Sequence, residues 1–332
     1  MPNPLPYHRK FDELNEEEKI LLEINKKSIA DFVEQSSLLS DVNYATRNVH
    51  AKTYAVINGE FVVSNALPHE LQPFFEEKKF DLVIRFSNAK PVINSSKKEI
   101  PAYGFAVKII DDKGSLIANY PLVNFPLFPV NSVSTFLKLF TSINQFYIKK
   151  WSHLPSLAAQ MVKVIPSVLN GSFIKSTLHF IGKRNDFFLS FDYYSVGAYR
   201  MGDYMIKIKL KPQSVEKNFG KKFTTRKALE EYFSTNDYTA DVLIQFCSDI
   251  KDQPINTLNT EWKNAPFIKI GEVNIKKNSL PNPRDCSNEL LSFNPFENKP
   301  FFHPVGKIQK LREEAYKVSM QTRTKINKLL HG

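Results

Sequence analysis

The chain has 332 residues and carries 45 Lys and Arg against 34 Asp and Glu, a formal charge of +11. At 42% hydrophobic and 24% charged it has the composition of a globular protein, long enough to bury a core without staples, which excludes wholesale disorder. The 27 Phe and 13 Tyr against only 11 Gly imply a bulky core, of a kind suited to surround something flat and apolar.

The first residues show no apolar run behind a basic leader, so no signal peptide is expected. Residues 12–35 read as a helix, with Ile20, Leu21, Ile24 and Ile29 among many Glu and Lys, and define an N-terminal arm over residues 1–40. From Arg47 the texture becomes strand-like. HAKTYAVINGEFVVS places Asn58-Gly59 between two β-rich runs, the strongest short hairpin signal in the chain. DLVIRFSN, YGFAVKII and SLIANYPLVNF follow as strands, then two apolar helical runs over residues 133–151 and 154–169. FFLSFDYYS, YMIKIKLKP, YTADVLIQFC and FIKIGEVNI return to strand texture, with a loop at residues 254–263. Residues 278–304 carry five prolines (281, 283, 295, 300 and 304) and read as a wrapping segment, and residues 305–330 as a final helix.

The expected fold is therefore α+β. Residues 41–304 supply eight strands, able to close an antiparallel barrel and remove their own edges, with a helical insertion at about 131–180 and helices at both ends. Cys247 and Cys286 stand in no finger or CxxC spacing, which argues against a disulfide framework and a structural zinc site. No apolar run reaches membrane-spanning length, and the default address is the cytoplasm. The lysines are scattered, as in Lys149-Lys150 and Lys276-Lys277, without any recognition motif, so a solvated surface is expected rather than a nucleic-acid partner.

Chemistry concentrates at two places. In the final helix Arg312, Tyr316, Ser319 and Arg323 fall at offsets 0, 4, 7 and 11, one stripe of an α-helix. A tyrosine normally keeps its proton to a pKa of about 10. A guanidinium one turn away, together with a metal ion, favours the phenolate, which is one of the protein ligands of ferric haem. At the other end, Arg47-Asn48-Val49-His50-Ala51-Lys52 opens the first strand. Alternation puts Arg85 and Ser87 of IRFS on one face. Alternation would send Arg47 and His50 to opposite faces, so the chain is expected to bend there.

RNVHAK, RFS, GFAVK and NFPLF, in that order, resemble the distal-side motifs of haem catalases, and the FNPFENKPFFHPVGKIQKLREEAYKVSMQTR end resembles the short catalase-related proteins. The resemblance spans roughly residues 41–323. It implies an eight-stranded antiparallel barrel, haem b between that barrel and a proximal helix (residues 305–332), and peroxide-decomposing chemistry of the catalase or peroxidase type, as in an oxidative stress response. By the same resemblance Tyr316 is the axial iron ligand and Arg312 stabilises its phenolate. His50 is the distal acid–base residue, Asn124 the distal amide, and Ser87 orients His50. Arg47, Arg85 and Arg323 pair with the haem propionates, while Val49 and Phe128 flank the ring. Pro129 stands where the family often has a second Phe, and the chain lacks the length of full catalases, including their nucleotide site. The implied partners are hydrogen peroxide or an organic hydroperoxide and an unspecified electron donor. The alternatives are an allene oxide synthase-like enzyme acting on fatty-acid hydroperoxides and a non-catalytic haem-binding protein.

Overall fold

The computed structural model describes residues 3–75, 77–94, 99–279 and 291–331. Cys286 and two prolines of the expected wrapping segment, Pro281 and Pro283, lie outside the described residues.

The chain begins with α1 (Glu16–Leu39), which starts one turn later than the apolar pattern suggests. Asn15 and Glu18 fix that start: each side chain accepts the other's backbone N–H at 2.8 Å, a reciprocal cap. Then come β1 (Thr53–Val63), β2 (Lys79–Asn88), β3 (Tyr103–Ile110) and β4 (Leu116–Val123). The helical insertion is α2 (Val133–Lys149), α3 (Leu154–Val168) and α4 (Gly171–Gly182). The second group of strands is β5 (Tyr193–Tyr194), β6 (Ala198–Met201), β7 (Tyr204–Pro212), β8 (Tyr238–Phe246) and β9 (Ile268–Ile275), with α5 (Thr225–Thr235) inserted before β8. β10 (Pro304–Val305) leads into α6 (Lys307–His331).

All strand pairs are antiparallel. The ladder runs β7-β5-β4-β3-β2-β1-β9-β8 and closes through β7–β8, which makes an eight-stranded barrel; β6 and β10 extend it beyond β7. Closure leaves no exposed edge in the ring. The expected α+β barrel with flanking helices is the fold observed.

Three local expectations need correction. Asn58-Gly59 is not a turn: β1 runs through it, paired to β2 on one side and to β9 on the other. A β-carbon at Gly59 would lie 2.7 Å from the Asn274 carbonyl oxygen of β9, so the glycine serves close backbone approach. FFLSFDYYS is not one strand: it holds a 3₁₀ turn at Phe188–Ser190, and only Tyr193–Tyr194 joins the sheet. Pro304, the end of the expected wrapping segment, and Val305, the expected start of the final helix, instead form a short strand paired with Tyr199 and Ala198. α5 is an element not expected from the sequence, and its Leu229 and Phe233 are fully buried in the barrel core.

Much of the abundant phenylalanine fills the barrel. Phe86, Phe105, Phe188 and Phe233 are fully buried there, with Phe86 packed edge-on to Phe105 and Phe188 at 4.9 and 5.2 Å between centroids. β2 shows where the barrel is covered: its burial alternates from Lys79 to Val83, then both faces are buried from Ile84 to Asn88. There α1 and α6 lie over the outer wall, packed together through Ile29 and Val33 of α1 against Ala315 and Val318 of α6. Among the described residues, no single helix is long and apolar enough to cross a membrane.

Candidate functional site

A cavity of about 580 Å³ lies between the outer wall of the barrel and α6, a size common for cofactor sites. Its floor follows from strand register. Arg85, Ala106 and Pro121 form one cross-strand row, and Ser87, Gly104 and Val123 the next. Their neighbours Ile84, Phe86 and Phe105 point into the barrel, so alternation turns these six outward, and all six line the cavity. Gly, Ala and Pro in the middle leave a low, flat surface beside a guanidinium and a hydroxyl.

The roof is the stripe on α6: Arg312, Tyr316, Ser319 and Arg323 all line the cavity. Arg312 Nη2 donates to Tyr316 Oη at 3.1 Å, one helical turn away. Burial acts against the Arg312 charge, yet the Tyr316 and Tyr199 oxygens beside it hold the guanidinium above its ordinary value.

Between floor and roof sits His50. Residues 47–52 lie outside the strands, and His50 adopts φ +54°, the left-handed region. That turn is the bend expected from the sequence, and it lets Arg47 and His50 reach one cavity. The conformation is uncommon for a residue with a side chain and is held from outside. Arg85 Nη2 donates to the His50 carbonyl at 2.6 Å and Arg85 Nε to Thr53 Oγ1 at 3.1 Å. His50 Nδ1 lies 3.1 Å from Ser87 Oγ. Burial, reinforced by repulsion from Arg85, Arg312 and Arg47, pushes the imidazole pKa down to about 3. A neutral imidazole at physiological pH results, with Nδ1 engaged and Nε2 left for proton transfer.

Gly104, quoted within GFAVK but given no role from the sequence, is a requirement of this arrangement. A β-carbon there would lie 2.6 Å from Ser87 Oγ and 2.7 Å from His50 Nδ1. Phe128 lines the cavity as expected, and α2 completes the aromatic wall that Pro129 interrupts. Phe136 and Phe140 stack with centroids 4.5 Å apart, and Phe128 meets them at 5.7 and 6.2 Å. Their spacing of four residues in an apolar helix was the available signal. Val49 also lines the cavity and remains partly exposed.

Arg47 reaches the cavity while donating to the Leu291 carbonyl at 2.7 Å. Arg323 is only 5% exposed and lies 3.4 Å from Ser319 Oγ. With Arg85 and Arg312, four arginines thus border one cavity. Asn124, expected from the resemblance as the distal amide, is not among the residues that line the cavity. Its Oδ1 accepts the Tyr103 N–H at 2.8 Å and its Nδ2 donates to the Pro101 carbonyl at 2.9 Å. The amide ties down the entry to β3.

The residues fit haem b. The floor of small residues accommodates a flat ring, Tyr316 beside Arg312 presents the kind of oxygen that can ligate ferric iron, and the arginines suit two carboxylates. Among the described residues no group of three or more His, Cys, Asp and Glu offers an alternative metal site.

The closed barrel with a helix laid along its outer wall is a catalase-like fold. The chain is similar to a fungal catalase, with TM-score 0.61 and 14% identity over 97% of this chain and 66% of that one. It is similar also to catalase A from Saccharomyces cerevisiae, with TM-score 0.59, 16% identity and coverage of 97% and 67%. A bacterial catalase gives TM-score 0.56, 16% identity and coverage of 90% and 61%. The chain spans about two thirds of the length of these catalases, and at such identities the likeness shows the fold alone. No family model and no curated protein matches the chain.

Proposed function

We propose that the chain is a haem-dependent enzyme that decomposes peroxides, of the catalase or peroxidase type. The observation that carries this reading is the pairing, across one cavity, of the Arg312–Tyr316 couple on α6 with the His50–Ser87 couple at the barrel wall. Tyr316 would hold the iron, Arg312 would donate a hydrogen bond to its oxygen, and Arg47, Arg85 and Arg323 would receive the propionates. Val49 and Phe128, with Phe136 and Phe140, would flank the ring and exclude water. Ferric haem bound there would supply an iron centre whose electron density an axial tyrosinate raises, which favours cleavage of a peroxide O–O bond.

The chain's own contribution is proton movement. With a proton on Nδ1 directed at Ser87 Oγ, Nε2 of His50 accepts a proton from one peroxide oxygen and delivers it to the other, which leaves as water. A pKa near 3 keeps that nitrogen free at neutral pH. The arginine-held left-handed turn at His50 fixes the ring before substrate arrives, so little reorganisation remains.

A second reading is conversion of fatty-acid hydroperoxides on the same site. It is favoured by the apolar side chains that α2 contributes to the cavity, Phe136 and Phe140. Protein reconstituted with haem should release oxygen from hydrogen peroxide or oxidise an added donor. His50→Ala should keep the haem and slow turnover by roughly 10²–10⁴-fold, the usual contribution of a positioned acid–base group. Bound haem with equal turnover in both proteins removes His50 from the chemistry. Bound haem with no turnover of any peroxide makes the protein a carrier.

A further inference from the structure

The helical insertion does more than cover the barrel. Of the nineteen large apolar side chains exposed among the described residues, nine fall between Trp151 and Ile181. α3 buries only Val164 and α4 only Ser176. The inner side of α3 packs on α2 through Leu157, Val164 and Val168. α4 is pinned to the barrel end by Phe173 and Phe180 against Phe125, at 5.5 and 5.4 Å, and by Ser176 Oγ to Glu261 at 3.0 Å. The remaining faces carry Trp151, Met161, Val162, Leu169, Leu178 and Ile181 into solvent. Apolar exposure concentrated in so short a segment marks an interaction surface.

Charge identifies the occupant. No Asp or Glu occurs from residue 113 to residue 185, while Lys149, Lys150, Lys163, Lys175, Lys183 and Arg184 all belong to this unit or its edge. A second copy docking by the same face would set these cations against their equivalents, because a two-fold interface is self-complementary. A nucleic acid would satisfy the cations and leave the apolar side chains wet. An anionic bilayer surface satisfies both, through headgroups and acyl chains. With 15 and 12 residues, α3 and α4 are too short to span a bilayer, and α4 bends 102° away from α2 and α3. We propose that α3 and α4 form an interfacial docking element that lies in the surface of an anionic lipid bilayer. The inference stands apart from the haem reading.

Trp151 makes the test specific, because it is 80% exposed whereas Trp262, the other tryptophan, is 6% exposed. The full chain is mixed with vesicles of equal parts phosphatidylglycerol and phosphatidylcholine, and with phosphatidylcholine vesicles alone. Co-sedimentation with the mixed vesicles, a blue shift of Trp151 emission and its quenching by brominated acyl chains are expected. Lys163→Glu with Lys175→Glu should weaken binding at least about tenfold, since each cation near an anionic surface contributes about a factor of five. Met161→Gln with Leu178→Gln should abolish the quenching. All four positions are exposed, and an unchanged melting temperature verifies folding of each variant. Absence of binding to the mixed vesicles, equal binding to neutral ones, or a concentration-dependent dimer lost in the Met161/Leu178 variant overturns the proposal.

Discussion

His50 stands directly over Gly104: a β-carbon at that glycine would sit 2.7 Å from the imidazole Nδ1. Gly104 pairs with Ser87 in the β2–β3 ladder, so the methyl of an alanine would meet the Ser87 hydroxyl and the imidazole together. The backbone there is pinned between two strands, which leaves the imidazole as the group that moves. Gly104→Ala is therefore expected to lose about 1–3 kcal/mol of stability, as overpacked positions do. Peroxide turnover should fall by about tenfold or more, because a displaced acid–base group loses most of its contribution. Thermal melts and turnover on one preparation check this, and undiminished turnover would contradict the role given to the glycine.

The depressed pKa of His50 has a consequence for the haem-free protein. The unfolded chain takes up a proton at this residue near pH 6.5 and the folded chain only near pH 3. Stability that is fully present above pH 6.5 is thus lost progressively as pH falls through that window. His50→Gln lacks the group and should lose less stability between pH 7 and pH 4 than the parent. Melting temperatures of both proteins at those pH values measure it. Parallel losses would mean that His50 is not shielded and repelled as the geometry indicates.

Val49 offers the neighbouring imidazole no hydrogen-bond partner, whereas a threonine there would add a hydroxyl beside it. Val49→Thr should suppress oxygen release from hydrogen peroxide by more than it weakens haem binding. The two are read by an oxygen electrode and by haem titration. Given a polyunsaturated fatty-acid hydroperoxide in parallel, the parent should still favour hydrogen peroxide. An allene oxide or its ketol as main product, without oxygen release, would reverse the order of the two proposed activities.

The barrel was legible because period-two alternation needs only one buried face, and each of the eight runs alternates over part of its length. The Tyr316 stripe was legible because helical periodicity alone fixes which side chains share a face. Gly59 was misread because an Asn-Gly pair reports tolerance for a turn, not how closely a third strand approaches. Gly104 escaped notice for a related reason: its necessity comes from the left-handed turn at His50, 54 positions earlier and unreadable locally. Asn124 holds the expected place in motif order, but order along the chain cannot tell which way an amide turns. Here it turns toward the backbone of Pro101 and Tyr103.

The central claim is that Tyr316, supported by Arg312 at 3.1 Å, is the ligand for haem iron. The most direct measurement is the visible and electron paramagnetic resonance spectrum of the haem-reconstituted chain beside that of Tyr316→Phe. The account predicts a high-spin ferric tyrosinate signature in the parent, and in the variant its loss together with most of the retained haem. An unchanged spectrum in Tyr316→Phe would contradict it.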